Sequence, residues 1–476
     1  MANIIEQDPL YDLMPVGQPI IFTISNAPIV TTYFNVKFIG EVYISHITPP
    51  NMSVTTDLVG TFKTTPNNEG VGIFDFSTVV ENHVKSDNLS GVSSAYKTAV
   101  VTATSSKIPL HLIDKWSTNT NSLAWMTIKF QIEGSLTSTG IPAILPDQAT
   151  PTGRIYEIFN GYLKYTDRLI ASTIDDSFGY VIAPFLPSDS SKRFLTNAPT
   201  TQYANVEDYG TIGIFNSDAQ IEYIKFSYYN SSGVLISNED VLPYISSSII
   251  SQSKYRLLYL GCFPANLQNW STTFAAALLV DLSYYTIVAY NSSDVQITQD
   301  YTINVNCFNI NIEGEKTTVS TAKIKGYNPI RLAWLNQWGA WDYYTFTKKS
   351  SRSISTQGST YTQLEGTWNE STFKLNGYRG GKKAFRVNAT EKVTMNTDFV
   401  TEADSEWFEE LINSPEVYIL EGFQDDPNGT METLNIYVTP VRLTTSSYTR
   451  KTVANDKLMQ YTIEVEKSKT LRTQAI

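Results

Sequence analysis

In IIFTIS (20–25), YFNVKFIGEVYIS (33–45) and WMTIKFQIEG (125–134), β-branched and aromatic side chains fall at alternate positions over much of each run. A period of two puts one set of side chains on one face of an extended chain, so each run predicts a half-buried strand. EVYILEGF (416–423), LNIYVTPVRL (434–443) and KLMQYTIEVEKS (457–468) read the same way. Apolar sheet faces must be covered by a second layer, so the chain is expected to be all-β, built of β-sandwich or Ig-like modules. The polar surface fits this reading. Only 17% of residues are charged, against about 25% in ordinary soluble proteins, and Ser, Thr and Asn take the polar role. Ordering a short hydroxyl side chain at a contact costs less entropy than ordering Lys or Glu, which favours solvent-facing strands and self-associating surfaces.

A chain of 476 residues exceeds one core of about 100–200 residues. Residues 341–476 carry 16 Lys+Arg and 18 Asp+Glu, whereas residues 1–340 carry 19 and 28. That near-doubling of charge density marks a different kind of domain. A second seam is STGIPAILPDQATPTGR (138–154), whose three prolines and small polar residues read as a linker. The expected organisation is an N-terminal β-sandwich (1–144), a middle β region of one or two β-sandwich modules (145–330), and a C-terminal β-plus-helix domain (331–476).

Local signals place a few elements within these domains. Thr78-Val-Val-Glu81 has the capping-box pattern and predicts a short helix after the strand GVGIFDF. FSYYNSSGVLIS (226–237) and IVAYNSSDVQIT (287–298) align without gaps and predict two equivalent strand–turn–strand units around Asn-Ser-Ser-Gly/Asp. A chance likeness between two hairpins of a β protein is the competing explanation. In the last domain, Thr401 to Ile412 predicts a helix, acidic at its start, with an apolar stripe of Trp407, Phe408, Leu411 and Ile412, and stopped by Asn413-Ser414-Pro415.

Composition also excludes function classes. The net charge of -11 disfavours non-specific nucleic-acid binding, although it would suit a passage through which DNA slides without sticking. Two cysteines, Cys262 and Cys307, cannot form a disulfide framework and suit a reducing cytosol; a single bridge between them stays open. The N-terminus lacks the basic and apolar regions of a secretory signal. No window approaches about 18 uninterrupted apolar residues, and TTFAAALLVDL is broken by Asp281, so no membrane insertion is expected.

Catalytic constellations are scarce. His46, His83 and His111 lie in unrelated settings and read as ordinary polar or core histidines, without metal-ligand spacing. LNGYRGGKKAFR (375–386) superficially resembles a phosphate loop, but Asn376 stands where its first glycine belongs and Lys383 where Ser or Thr should follow the lysine. It reads instead as a basic hairpin tip whose Lys382, Lys383 and Arg386 could grip an acidic neighbouring subunit. Consecutive acids such as Asp175-Asp176 and Glu409-Glu410 point apart, so neither doublet makes the opposed pair of a glycosidase. No enzyme, cofactor or metal is expected.

The densest aromatic run is RLAWLNQWGAWDYYTF (331–346). As a sugar platform its rings would stack on pyranose faces, with Asn336, Gln337 or Asp342 supplying hydrogen bonds. As a nucleic-acid platform it would need interleaved cations, and Leu332–Phe346 has none. As core, Leu332, Trp334 and Asn336 share one strand face, and Gly339 kinks the strand before alternation resumes at Trp341. The core or subunit-interface reading is preferred, with Trp334, Trp338, Trp341, Trp407 and Phe408 as its anchors.

The ordered set WLNQWGAWDYYTF, KKSSRSIS (348–355), the basic hairpin, SEWFEELINSPEVYI (405–419), LNIYVTPVRLTTSSYTRKT (434–452) and MQYTIEVEKSKTLRTQ (459–474) resembles structural tail proteins of tailed bacteriophages infecting Bacteroidetes, of the crAss-like type. PNNEGVGIFDFSTVVENHV (66–84) and RIYEIFNGYL (154–163) look like upstream elements of the same group. The resemblance implies a virion protein with a tail-tube-like C-terminal β-layer. It further implies a homo-oligomeric ring of six or twelve copies, docked to other tail proteins, through whose lumen the genome is ejected. Such a protein is made and assembled in the host cytoplasm. In that ring Lys382, Lys383 and Arg386 would meet acids such as Glu409 and Glu410 of a neighbour. The alternative is a receptor- or carbohydrate-binding tail spike, and a third reading is a polysaccharide-degrading tail enzyme.

Overall fold

The computed structural model describes residues 3–52, 55–91, 108–146, 150–151, 153–168, 170–171, 178–216, 220–241, 252–306, 329–367, 369–421, 437–445, 447–449 and 459–475. The fold is all-β in class: six sheets are present among these residues, with a few short helices. The chain separates into two compact units. Unit 1 comprises Met1–Val319, Leu335–Asp342 and Phe423–Leu434, and unit 2 comprises Ser320–Trp334, Tyr343–Gly422 and Asn435–Ile476.

In unit 1, a three-stranded sheet (Ile4–Gln7, Ile21–Ser25, Val71–Asp75) faces a seven-stranded sheet whose centre is formed by Phe34–Ser45 and Leu123–Ser135. Phe22 and Phe74 of the first sheet meet Phe130 of the second at 5.9 and 5.5 Å, the spacing of interlocking aromatic rings in a sheet-on-sheet core. Ile21–Ser25 alternates between buried and half-buried positions as its sequence predicts. Leu123–Ser135 is buried almost throughout, because a strand with neighbours on both edges and layers on both faces has no solvent side. The proline-rich segment that reads as a linker is partly drawn into this sheet: Ala143–Ile144 and Thr150–Pro151 pair with Leu123–Ser135.

A five-stranded sheet (Thr201–Asn205, Tyr301–Asn306, Leu282–Tyr290, Tyr223–Asn230, Leu235–Val241) completes the larger part of unit 1. It is packed by two helices, Pro264–Trp270 and Thr272–Leu278, through Phe226–Trp270 and Tyr228–Phe274 ring contacts. Neither helix is apparent from periodicity, because each spans only seven residues and so shows barely two turns of pattern.

One turn chemistry recurs four times among the described residues. In Asn67-x-x-Gly70-Val71, Asn230-x-x-Gly233-Val234, Asn291-x-x-Asp294-Val295 and Asn336-x-x-Gly339-Ala340, the Asn amide oxygen accepts from the backbone N–H groups two and four residues on. The Asn N–H donates to the carbonyl of the fifth residue, and the fourth N–H donates back to the Asn carbonyl, at 2.9–3.1 Å. The fourth residue has φ between 58° and 79° at all four turns, which explains the glycine or aspartate there. The two Asn-Ser-Ser turns are thus structurally equivalent, although the second continues only as the isolated bridge Tyr290–Gln296.

The fourth turn corrects the kinked-strand reading of the Trp-rich run. Asn336–Ala340 closes a hairpin between Ile330–Leu335 and Trp341–Phe346, since positive φ at Gly339 reverses the chain instead of bending it. The Thr78–Glu81 capping box is also absent. The helix there is Ser77–Val80, started by Phe76 without a side-chain cap, because Glu81 already belongs to the following 3-10 turn.

An eight-stranded sheet, all of it in unit 2 but for Leu335, Trp341 and Asp342, runs in the order Trp341–Phe346, Ile330–Leu335, Val417–Leu420, Val438–Leu443, Thr462–Lys467, Gly381–Asn396, Ser351–Gln363; Arg472–Ala475 also pairs with Gly381–Asn396. The helix Glu402–Asn413 is capped by Thr401 in a reciprocal box with Asp404 and ends at Ser414. It buries Trp407 and Phe408 against the sheet, where Trp334 and Trp407 lie 4.8 Å apart and Tyr344 and Phe408 4.8 Å.

Candidate interaction site

The five candidate rings are all buried, at 2% exposure or less, but they occupy two different places. Trp334, Trp407 and Phe408 form one aromatic cluster in unit 2. Trp338 and Trp341 lie in unit 1, where Trp338 packs on Phe185 at 4.0 Å and Trp341 meets His111 edge-on at 4.7 Å. The Trp341 indole N–H donates to the Asp87 carbonyl at 2.8 Å. The Asp87 carboxylate in turn accepts from the Thr120 and Asn121 N–H groups and from the Ser122 and Tyr259 hydroxyls. Burial raises its pKa and these donors oppose the rise. Asn336 donates to the Leu195 carbonyl at 2.8 Å and to Asp342 at 3.1 Å. The Trp-rich run therefore offers no exposed aromatic face to a sugar.

The exposed surface lies elsewhere, on a long hairpin we call the arm, residues 351–386. Its strands Ser351–Gln363 and Gly381–Asn396 pair over their whole shared length, with Phe385 bulged out between the Ser359–Arg386 and Thr360–Ala384 pairs. On the far side of Gly381–Asn396, Thr462–Lys467 covers 392–396 and Arg472–Ala475 covers 386–389. Among the described residues, 381–385 are thus paired on one edge only, and Ser351–Gln363 is the outer strand of the sheet. Eleven of its thirteen residues are exposed and the other two are half-buried.

Charge is arranged differently at the two ends of this sheet. Towards its middle, Arg352 and Lys467 both reach Glu391, at 3.5 and 3.3 Å, and Lys467 also reaches Glu421 at 3.1 Å. Lys392 pairs with Glu464, whose pKa is lowered mainly by the Thr444 hydroxyl and then by Lys392. At the arm's end, Lys382, Lys383 and Arg386 form no ion pair among the described residues; Arg386 bonds only the Asn388 amide. Arg386 and Lys383 pair with Ser359 and Tyr361 and share one face, while Lys382 pairs with Thr362 on the other. Phe373, Leu375, Tyr378 and Phe385 are each more than half exposed beside them. Of the two acids expected to meet these cations, Glu409 is half-buried and Glu410 is only 6% exposed, so Glu410 is a poor acceptor for a neighbour's cation.

Other candidate chemistry is dispersed. His83 is half-buried, with its pKa lowered by burial and by the charge of His46, and His111 is core. Among the described residues no cluster of three or more His, Cys, Asp or Glu side chains could hold a metal ion. No helix among them is long and apolar enough to cross a membrane. Asp175, Asp176 and Cys307 lie outside the described residues, and Cys262 is buried. The arm went unrecognised as a unit in the sequence because its outer strand, SRSISTQGSTYTQ, is polar on both faces; the signal that marks it is the contrast between that run and the basic tip that follows.

No protein-family model matches this chain, and no curated protein matches it. Among solved structures it is similar to the native conformation of E. coli alpha-2-macroglobulin, at 9% identity and a TM-score of 0.18, over 83% of this chain and 21% of that one. A likeness at that score carries no argument about fold or function.

Proposed function

We propose that this chain is a structural virion protein of a bacteriophage tail, a subunit of a closed ring around the channel through which DNA is ejected, docked to neighbouring tail components. The reading gives unit 2 the role of a tail-tube-like β-layer with its helix, and the sheets of unit 1 the role of β-sandwich modules that dock other components. The observation that carries it is the open edge of the unit 2 sheet. The outer edge of Ser351–Gln363, thirteen residues long, hydroxyl-rich and without proline, has no strand partner among the described residues and presents main-chain donors and acceptors that another chain can complete. An isolated protein ordinarily blunts such an edge, whereas a subunit that repeats a head-to-tail contact uses it and closes into a ring. The resemblance of residues 331–476 to phage tail proteins points the same way. Purified protein should form particles of six or twelve copies with a central opening by mass measurement and electron microscopy. A monomer at high concentration would overturn the reading.

The second reading, a receptor- or carbohydrate-binding spike, draws on exposed rings such as Tyr165, Tyr203 and Tyr378. A trimeric mass together with glycan binding lost on substituting these tyrosines would replace the ring reading with this one.

A further inference from the structure

We propose that the arm is the docking element of the assembly, seating its cationic, apolar tip on the acidic surface of a second copy of this chain. This rests on the ring reading above and names the contact that would close it. Charge balance identifies the partner. Residues 351–386 hold six Lys/Arg against two Glu, a net +4, whereas the rest of the chain holds 29 Lys+Arg against 44 Asp+Glu, a net -15. The chain is therefore complementary to itself, and a contact between the arm of one copy and the body of the next is attractive in every repeat. The cations are also available: Lys382, Lys383 and Arg386 have no ion-pair partner among the described residues, while Arg352, Lys392 and Lys467 in the same sheet are all paired.

Charge alone would equally attract nucleic acid, and the arm's apolar side chains favour protein. Phe373, Leu375 and Tyr378 are 62, 71 and 75% exposed within six residues of sequence, and Ile354 on the outer strand is 63% exposed. Aliphatic Leu375 and Ile354 offer nothing to a phosphate backbone and gain from burial against a folded surface. The polar outer edge beside them, unpaired among the described residues, supplies hydrogen bonds for the rim of such an interface.

The test is light scattering of the full chain as wild type, as the charge reversal K382E/K383E/R386E and as the neutral variant K382Q/K383Q/R386Q, with thermal unfolding as the folding control. Wild type should assemble, and its mass should fall as salt is raised from about 0.05 M to about 1 M, where charge attraction is screened. The reversal should weaken association by tenfold or more, the neutral variant by less, and F373A/Y378A should weaken it at high salt as well. Wild-type and reversed chains of equal mass and equal dissociation midpoint would overturn the arm contact and leave the ring reading standing. A wild type that stays monomeric would remove both. If the reversal abolishes a duplex-DNA mobility shift and leaves assembly intact, the tip binds nucleic acid and the proposal is wrong.

Discussion

The Trp-rich turn and the arm are both β-hairpins that depend on glycines with φ near +75°, and they have opposite surroundings. Around Gly339 every neighbour is in place: a Cβ there would lie 2.2 Å from the Asn160 carbonyl oxygen, and Asn336 makes hydrogen bonds in four directions. Around Gly381, with φ of 76°, a Cβ would meet nothing within 4 Å. Backbone conformation is the same, so what separates the two is packing. One hairpin is complete within its own chain, and the other offers edges, cations and rings that the described residues leave uncovered.

The comparison predicts where the chain is intolerant of change. Trp341→Ala should have the largest effect, since it empties a buried site, removes the edge contact with His111 and removes the bond to the Asp87 carbonyl. A loss of about 3–5 kcal/mol is expected in urea unfolding; a loss below about 1 kcal/mol would mean the turn is not the packed site described. Gly339→Ala comes next, because left-handed backbone costs an alanine about 1–2 kcal/mol and the carbonyl of Asn160 must also move, for a total near 3 kcal/mol. Gly381→Ala carries the backbone cost alone, about 1 kcal/mol. If the two alanine variants unfold at the same denaturant concentration, crowding does not distinguish the hairpins.

These differences mark how far the sequence could be read. The half-buried face expected around Phe130 is buried by layers that no local pattern shows, whereas alternation around Phe22 and the bounds of Glu402–Asn413 were legible because each is set by residues close in sequence. The Asn-Ser-Ser pair was legible for the same reason, and the two further copies of that turn, Asn67–Val71 and Asn336–Ala340, were missed because their middle residues share no letters. The Asn at the first position and the residue of positive φ at the fourth are what the geometry requires. Burial of Glu410, insertion of Ala143–Ile144 beside Leu123–Ser135, and the division of Trp334 from Trp338 and Trp341 depend on partners far away in sequence. No local pattern encodes them.

Glu391 and the arm cations give the last contrast. Glu391 is 7% exposed and holds both Arg352 and Lys467, so Glu391→Gln sets both cations against a buried neutral amide, with Glu421 as the carboxylate they still share. A cost of about 2 kcal/mol is expected, discounted because Arg352 is half exposed to water. Reversing all three of Lys382, Lys383 and Arg386 alters six units of charge and should change unfolding of the dilute monomer by less than about 0.5 kcal/mol, because no carboxylate among the described residues pairs with them. One neutralised carboxylate would then outweigh three reversed cations. If the triple reversal instead destabilises the monomer by about 1 kcal/mol or more, those cations make intrachain contacts, and the contrast between a paired sheet and an unpaired tip fails. If stability holds while association is lost, charges that contribute nothing to one chain act only between chains.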